Sequence, residues 1–338
     1  MRGTLLGGTA VLLSLAMMGC GDSGSNTGAS GGSGQGGSGQ GGSAQGGSAG
    51  SGQGGTAMGG SAGSSGGSGG GGATSGEWTE LMTGDWELPA ADEGYRCVVY
   101  TVPEDMYVSG FRPIAPNGTH HTVLSRETGN QADGIYPCDA GTNGPVMIYG
   151  SGVGTTPLEF PQGVAVKLAK GEKLLLNLHL FNVSPAKLSG TSGIEVRRVD
   201  PADVENEAEM LLAGKDQGLV IDTGENTQTG HCTMTGDVTV FAVIPHMHQL
   251  GIHMQVSAET SAGSQQMVDT DYTFDDQQYH LQDPLVQLKA GEQIKVDCTY
   301  YNDRGETVFF GDSSLAEMCY AGIYRYPALG TPYITCTQ

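Results

Sequence analysis

Apolar residues along this chain fall in short runs rich in β-branched and aromatic side chains, each closed by Gly, Pro, Asn or Asp. "YRCVVYTV", "HHTVLSR", "VAVKLAKGEKLLLNLHLFNV", "GIEVRRV", "DVTVFAVI", "IHMQVSA", "PLVQLKAGEQIKVDCTYYN" and "CYAGIYRYP" each predict one or two strands. Residues 201–214, "PADVENEAEMLLAG", carry the one pattern that suits a helical turn or two. The expected class is all-β, arranged as antiparallel sandwiches. One run is anomalous. "VFAVIPHMHQLGIHMQV", Val240 to Val256, reads as a buried strand yet places His246 and His248 two apart, where alternation sends both imidazoles to one face.

The strand pattern also repeats. "VKLAKGEKLLLNLHLFN" (166–182) aligns without gaps on "VQLKAGEQIKVDCTYYN" (286–302), identical at the Val, Leu, Gly, Glu and Asn positions. A strand, a Gly-Glu turn and a long strand thus recur once per half, as a hairpin would. Two related sandwiches, over 77–199 and 200–338, are the simplest organisation. His179 in the first copy faces Thr299 in the second, so the histidine is not a requirement of the repeat.

The start of the chain differs from this body. Residues 1–20, "MRGTLLGGTAVLLSLAMMGC", have one basic residue, a short apolar run and small residues before Cys20, the pattern of a secretory leader rather than a membrane span. "AMMGC" resembles a bacterial lipobox, which makes Cys20 a lipidation site and the expected location the cell envelope. Residues 21–76 hold 27 glycines in 56 positions among Ser, Gln, Ala and Thr, too little apolar surface to fold. They read as a disordered tether with a reach of roughly 40 Å. Arg2 and Asp22 are the only charged residues before Glu77, so the whole net charge of -21 belongs to the body. That acidity argues against nucleic acid or anionic lipid as a partner and leaves the lipid anchor as the expected route to a membrane.

Candidate chemistry comes from cysteine and histidine. Beyond Cys20 there are six cysteines, Cys97, Cys138, Cys232, Cys298, Cys319 and Cys336, an even number that suits three disulfides in an exported protein. If each half closes its own bridges, Cys97 pairs with Cys138; the other four stay open. His120 and His121 are adjacent at the start of an apolar strand, and His179 sits inside "LLLNLHLFN". A buried imidazole needs a hydrogen bond or a metal to offset desolvation. Sharing one metal between His120 and His121 requires a bulge or a twisted start to the strand, for which Asn117-Gly118 supplies flexibility. Five histidines on three strands point to metal, whereas His231, His253 and His280 read as ordinary residues. Imidazole suits several transition metals and a thioether selects cuprous copper. Met318 is suggestive because it precedes Cys319, and a disulfide there would fix its position.

"THHTVL", "LNLHLFN", "PHMHQLG" and "SSLAEMC", in that order, resemble the copper motifs of the type II, ascorbate-dependent copper monooxygenases, the family of peptidylglycine hydroxylating monooxygenase and dopamine beta-monooxygenase. The resemblance extends from about Asp85 to Cys336, and the tail "EMCYAGIYRYPALGTPYITC" is closer to the dopamine enzyme. It implies two tandem antiparallel eight-stranded jelly-roll-type sandwiches. It implies two coppers per chain, one held by His120, His121 and His179 and one by His246, His248 and Met318, the latter set being catalytic. It implies bridges Cys97–Cys138, Cys232–Cys336 and Cys298–Cys319. The implied reaction hydroxylates a C–H bond of a small-molecule or peptide substrate with dioxygen and a reductant such as ascorbate. No organic cofactor is implied, and the chain carries no nucleotide-binding glycine motif.

Two departures bear on substrate. In the peptide enzyme a basic residue two before the His-x-His pair and a tyrosine four after the methionine hold a terminal carboxylate, whereas this chain has Ile244 and Gly322 there. Glycine-extended peptides are therefore poor candidates, and a more apolar or neutral substrate is expected. The dopamine enzyme's N-terminal regulatory domain has no counterpart here, so catecholamine hydroxylation is not implied either. The alternative function is a copper-binding or electron-transfer protein on the same scaffold without hydroxylation. An adhesive or carbohydrate-binding sandwich would leave five histidines and Met318 unexplained.

Overall fold

The first half of the body lays its strands in two sheets. One is six-stranded, ordered Trp78–Leu88, Leu188–Val199, Met106–Ile114, Val164–Leu168 and Asn206–Glu207, with Leu158–Glu159 also paired to Met106–Ile114. The other is five-stranded, ordered Gly134–Pro137, Asp92–Thr101, Lys173–Asn182, Thr119–Glu127 and Val146–Ser151. In the second half a five-stranded sheet runs His280–Leu288, Val238–His246, Cys319–Tyr326, Glu209–Lys215 and Cys336–Thr337. A four-stranded sheet runs Gly224–Thr233, Gln293–Asn302, Gly251–Thr260 and Gly263–Asp271. Leaving aside short edge pieces, the two halves share one strand order. This computed structural model describes residues 76–330 and 336–337; the leader, Cys20 and the tether expected over 21–76 lie outside the described residues, except for Gly76.

The described residues are all-β apart from one 3-10 turn, Pro201–Asp203. The helical reading of 201–214 therefore holds for three residues only. Asp200 caps that turn, accepting from the Ala202 N–H at 2.8 Å. Glu209–Lys215 is instead a strand paired antiparallel to Cys319–Tyr326, because long-range pairing overrides a local helical preference.

The repeated segments are not hairpins. Val164–Leu168 pairs with Met106–Ile114, whereas Lys173–Asn182 pairs with Asp92–Thr101 in the other sheet. The Gly-Glu turn is thus a corner that carries the chain between sheets, and it recurs in hydrogen-bond detail. Glu172 accepts from the Ala169 N–H at 3.0 Å as Glu292 accepts from Lys289 at 2.8 Å. Gly171 donates to Val102 and Gly291 to Met234, each at 2.8 Å. At the far end Asn182 donates to Ala186 at 2.9 Å and Asn302 to Glu306 at 2.8 Å. What repeats in the sequence is the chemistry of these corners, the Glu and Asn side chains that satisfy turn amides and carbonyls.

Burial explains the unbroken apolar run of Val238–His246. Its Val240 and Val243 join a core with Leu211, Val256, Val296 and Ile323 inside the second half. Its Phe241 and Ile244 join the core of the first half, with Leu124, Leu176, Ile194 and Tyr324. A sheet covered on both faces reads as continuously hydrophobic, since neither side meets water. The join between halves is aromatic: Tyr149 packs on Tyr279, and Tyr324 contacts Phe160, Phe241 and Tyr279. Hydroxyls pin it, Tyr279 donating to the Gly150 carbonyl at 2.6 Å and Tyr324 to that of Ile148.

All six body cysteines are paired, Cys97–Cys138, Cys232–Cys336 and Cys298–Cys319. The within-half closure expected for Cys97 and the pairing implied for the other four both hold. Three disulfides suit an exported or extracellular protein, where oxidising conditions maintain them. Among the described residues no helix is long and apolar enough to cross a membrane.

Candidate metal centre

His120 and His121 enter through a β-bulge. Against Lys173–Asn182 the register runs Thr119 to Leu180 and then His121 to His179, leaving His120 as the extra residue. The bulge turns two consecutive side chains toward one point, as sharing a metal requires. Gly118 just before it has φ +101°, a backbone conformation that favours glycine, and a Cβ there would lie 2.6 Å from the Trp86 ring. The His121 Nδ1 then lies 3.1 Å from the His120 Nδ1 and 3.4 Å from the His179 Nδ1. These three residues can bring one ligand atom each within 4.8 Å of one another.

With three Nδ1 atoms turned inward, the Nε2 atoms point outward to partners. His179 Nε2 lies 2.6 Å from Glu93, and the ring stacks on Tyr95 at 4.5 Å. His120 Nε2 lies 3.5 Å from Asp275 and His121 Nε2 lies 3.0 Å from the Gln277 amide. Outer contacts of this kind fix ring orientation and tautomer and leave the inner nitrogen free for a cation. Burial holds His120, His121 and His179 below the ordinary histidine pKa, His121 well below it with neighbouring imidazoles adding to the effect. Neutral, convergent imidazoles are the donor chemistry a transition metal needs, so the residues fit.

The second set is built differently from the expectation. The strand ends at His246, and residues 247–250 form a turn before Gly251–Thr260, so "VFAVIPHMHQLGIHMQV" is two strands and a turn. The reason is Glu317, fully buried, whose carboxylate takes the N–H of His248 at 2.9 Å and of Leu250 at 2.7 Å in place of ladder bonds. The imidazoles still come together, with ring centroids 5.3 Å apart. His246 Nδ1 lies 3.0 Å from the Gln277 Oε1 and His248 Nδ1 lies 3.1 Å from the Ala316 carbonyl, so both rings are anchored through Nδ1. Burial takes His246 below the ordinary value and His248 down to about 3. Met318 is held by the adjacent Cys298–Cys319 bridge and by the Tyr300 hydroxyl, which donates to its carbonyl at 2.7 Å.

His121, His179, His246, His248 and Met318 all line one cavity of about 410 Å³. The two sets are neighbours, with the rings of His121 and His246 5.8 Å apart. Ile244 and Gly322 are cross-strand partners in the same lining. A Cβ at 322 would stand 2.3 Å from Met210 and 2.7 Å from Ile244, so apolar packing fills the place where the peptide enzyme's tyrosine stands. Among the described lining residues Asp216 and Asp312 carry the charge and no Lys or Arg contributes. His231, His253 and His280 stay outside the lining, His253 against Asp269 at 2.9 Å. The sequence reading missed Glu93, Asp275, Gln277 and Glu317, which touch the histidines or their backbone. Only Glu317 left a trace, as an acidic residue beside Met318.

The depressed histidines make stability pH-dependent in the metal-free protein. Below pH 6.5 the unfolded chain takes up protons that the folded one refuses, so stability is complete above that value and drains away as pH falls toward 3. The slope is about 1.4 kcal/mol per pH unit for each histidine. Glu317, raised by burial to about 7, acts in the opposite sense between its ordinary value and 7, one group against the five histidines of the two sets and His280, which burial also lowers. Thermal unfolding without metal is therefore expected to move to lower temperature between pH 7.5 and 5.5; an unchanged midpoint would show that these imidazoles protonate while folded.

Comparison with known proteins adds to this geometry. Residues 206–338 match the family model of the copper type II ascorbate-dependent monooxygenase C-terminal domain. The human DBH-like monooxygenase protein 1 is 22% identical over 298 residues, covering 76% of this chain and 48% of that protein. The human putative DBH-like monooxygenase protein 2 is 26% identical over 274 residues, covering 71% of this chain and 54% of that protein. The chain thus spans about half the length of these relatives. Among solved structures, that of infectious bursal disease virus, Gx strain, aligns at 10% identity over 76% of this chain and 75% of that one; its TM-score of 0.20 carries no argument. The family model over the second half and the two human relatives support the copper type II monooxygenase family for this chain.

Proposed function

We propose that this chain is a copper-dependent monooxygenase that hydroxylates a C–H bond of a small organic substrate, using dioxygen and a reductant such as ascorbate. The observation that carries the reading is one apolar-floored cavity lined by members of both histidine sets together with Met318. His120, His121 and His179 would hold one copper through Nδ1, and His246 and His248 through Nε2, with the Met318 thioether, would hold the other. Copper, when bound, supplies one-electron and dioxygen chemistry that protein side chains lack. The chain's own residues do the rest: Glu93, Gln277 and the Ala316 carbonyl fix the rings, and the two-faced burial around Ile244 keeps water from the floor. Ile244 and Gly322 offer nothing to a carboxylate, and Asp216 and Asp312 at the same cavity repel one. A neutral or cationic substrate follows, rather than a peptide's terminal glycine.

The same reading takes 77–199 and 200–338 as two eight-stranded jelly-roll-type domains, displayed from the cell envelope by a lipid on Cys20 and the glycine-rich tether. Metal analysis with paramagnetic resonance tests the centre. Two equivalents of type II copper are expected, falling to about one in Met318→Ala. Absence of copper in the parent overturns the reading, and two coppers without any product across aromatic, amine and lipid substrates would leave an electron-transfer protein.

A further inference from the structure

Gln277 hydrogen-bonds a histidine of each set, His121 and His246. It is buried at 3% exposure on the segment between Gly263–Asp271 and His280–Leu288. The first half holds that segment in place: the Thr155 hydroxyl donates to the Gln277 carbonyl at 2.6 Å, and Gln278 bonds Thr156 and Gly154. Its amide nitrogen lies 3.0 Å from His121 Nε2 and 3.1 Å from the Phe274 carbonyl, and its oxygen lies 3.0 Å from His246 Nδ1. The Phe274 carbonyl favours this orientation while neither set is filled, since it can only accept and so takes the NH2 end.

A conflict follows from counting donors. A neutral imidazole carries one N–H and one lone pair. If His121 ligates a cation through Nδ1, its proton must sit on Nε2, facing the Gln277 NH2, and two donors then meet. Turning the amide over gives His121 an acceptor, but it sets oxygen against the Phe274 carbonyl and NH2 against His246 Nδ1. That atom must itself bear a proton if His246 ligates through Nε2. The other outward nitrogens escape the problem, because Glu93, Asp275 and the Ala316 carbonyl are all acceptors. One amide oxygen is left to serve two N–H groups.

We propose that Gln277 is a positioning residue that couples the two centres negatively, so that filling one weakens the other. The proposal rests on the ligand sets of the preceding section. With the second set alone filled the amide keeps this orientation, and with the first set alone filled it turns over, giving up the Phe274 contact to accept from His121. Filling the second leaves a buried donor unpaired, a penalty that weakens the second copper about tenfold relative to an uncoupled pair. Closeness of the sets is therefore purchased with a mismatch that a carboxylate at the same position would remove from the two histidines, since it accepts from both, while the Phe274 carbonyl would face an oxygen in every state of filling alike.

The experiment is anaerobic titration of the full chain with cuprous ion against a coloured chelator, giving two stepwise dissociation constants for the parent, Gln277→Glu and Gln277→Met. Intrinsic differences between the sets cancel when the ratio of the two constants is compared between proteins. The ratio is expected to narrow about tenfold in both variants, in Glu through the added acceptor and in Met through removal of the amide. A ratio unchanged within twofold in both overturns the coupling. Fewer than two coppers in the parent overturns the ligand assignment instead, so the two failures are distinct. Circular dichroism establishes folding, and should the methionine variant fail to fold, the near-isosteric glutamate decides.

Discussion

Replacing His121 by alanine is expected to lower reductant-dependent oxygen consumption at least about a thousandfold and to remove one of two coppers. His121 stands at the middle of the first cluster, its Nδ1 within 3.4 Å of both partner nitrogens, so two imidazoles alone would remain to hold the ion. Loss of one ligand in three forfeits several kcal/mol of metal binding and redox stabilisation, and each 1.4 kcal/mol is tenfold in rate. The effect should spare the fold, because His121 is half-buried at a cavity wall and leaves no large void. Oxygen-electrode rates beside copper content check it. A variant that keeps two coppers and turns over within tenfold of the parent rules out this role.

Glu317→Ala is expected to cost about 3–5 kcal/mol of stability and to weaken copper at the second set by ten- to a hundredfold. The carboxylate accepts from the backbone N–H groups of His248, Leu250 and Met318, all in the two segments that would grip that copper. Alanine strands these donors in a site with no exposure, and each buried unpaired donor costs about 1–3 kcal/mol. The affinity loss follows from freeing the segments, as for other groups that orient ligands at one remove. Glu317→Gln keeps one acceptor and should lose less on both measures. Chemical denaturation together with chelator competition separates the two effects; an alanine variant within 1 kcal/mol of the parent would contradict the bracing role.

The parts of this molecule legible in the sequence are those whose cause is local. "VAVKL" and "QIKVDCTYYN" announce strands by composition, and the Glu172 and Glu292 corners repeat because the same turn chemistry recurs. That the strand must start with a bulge or a twist at His120 followed from two adjacent imidazoles, and the register shows the bulge. Strands such as Gly224–Thr233, "GENTQTGHCT", and Gly263–Asp271, "GSQQMVDTD", are polar along much of their length and gave no apolar signal. Their pairing comes from neighbours far along the chain. The same holds at the centre: Gln277 lies in "FDDQQYH", where nothing local marks it, and acquires its position only when the first half closes over that segment. The end of the strand at His246 was hidden for a related reason, because the carboxylate that stops it arrives from Glu317, 69 residues beyond His248.

The neighbouring strands Val238–His246 and Cys319–Tyr326 have no wet side, and this sets where the chain can tolerate change. Polar replacements at Val240, Val243, Phe241 or Ile244 all enter one of two cores, so alternation offers no harmless positions there. The outer strand Gly263–Asp271, with exposed residues along much of its length, is free to drift. Random mutagenesis should therefore yield a map in which two of the least forgiving strands of the molecule are also the one that ends at His246 and the one that starts one residue after Met318, so that loss of fold and loss of chemistry at the second set are inherited together.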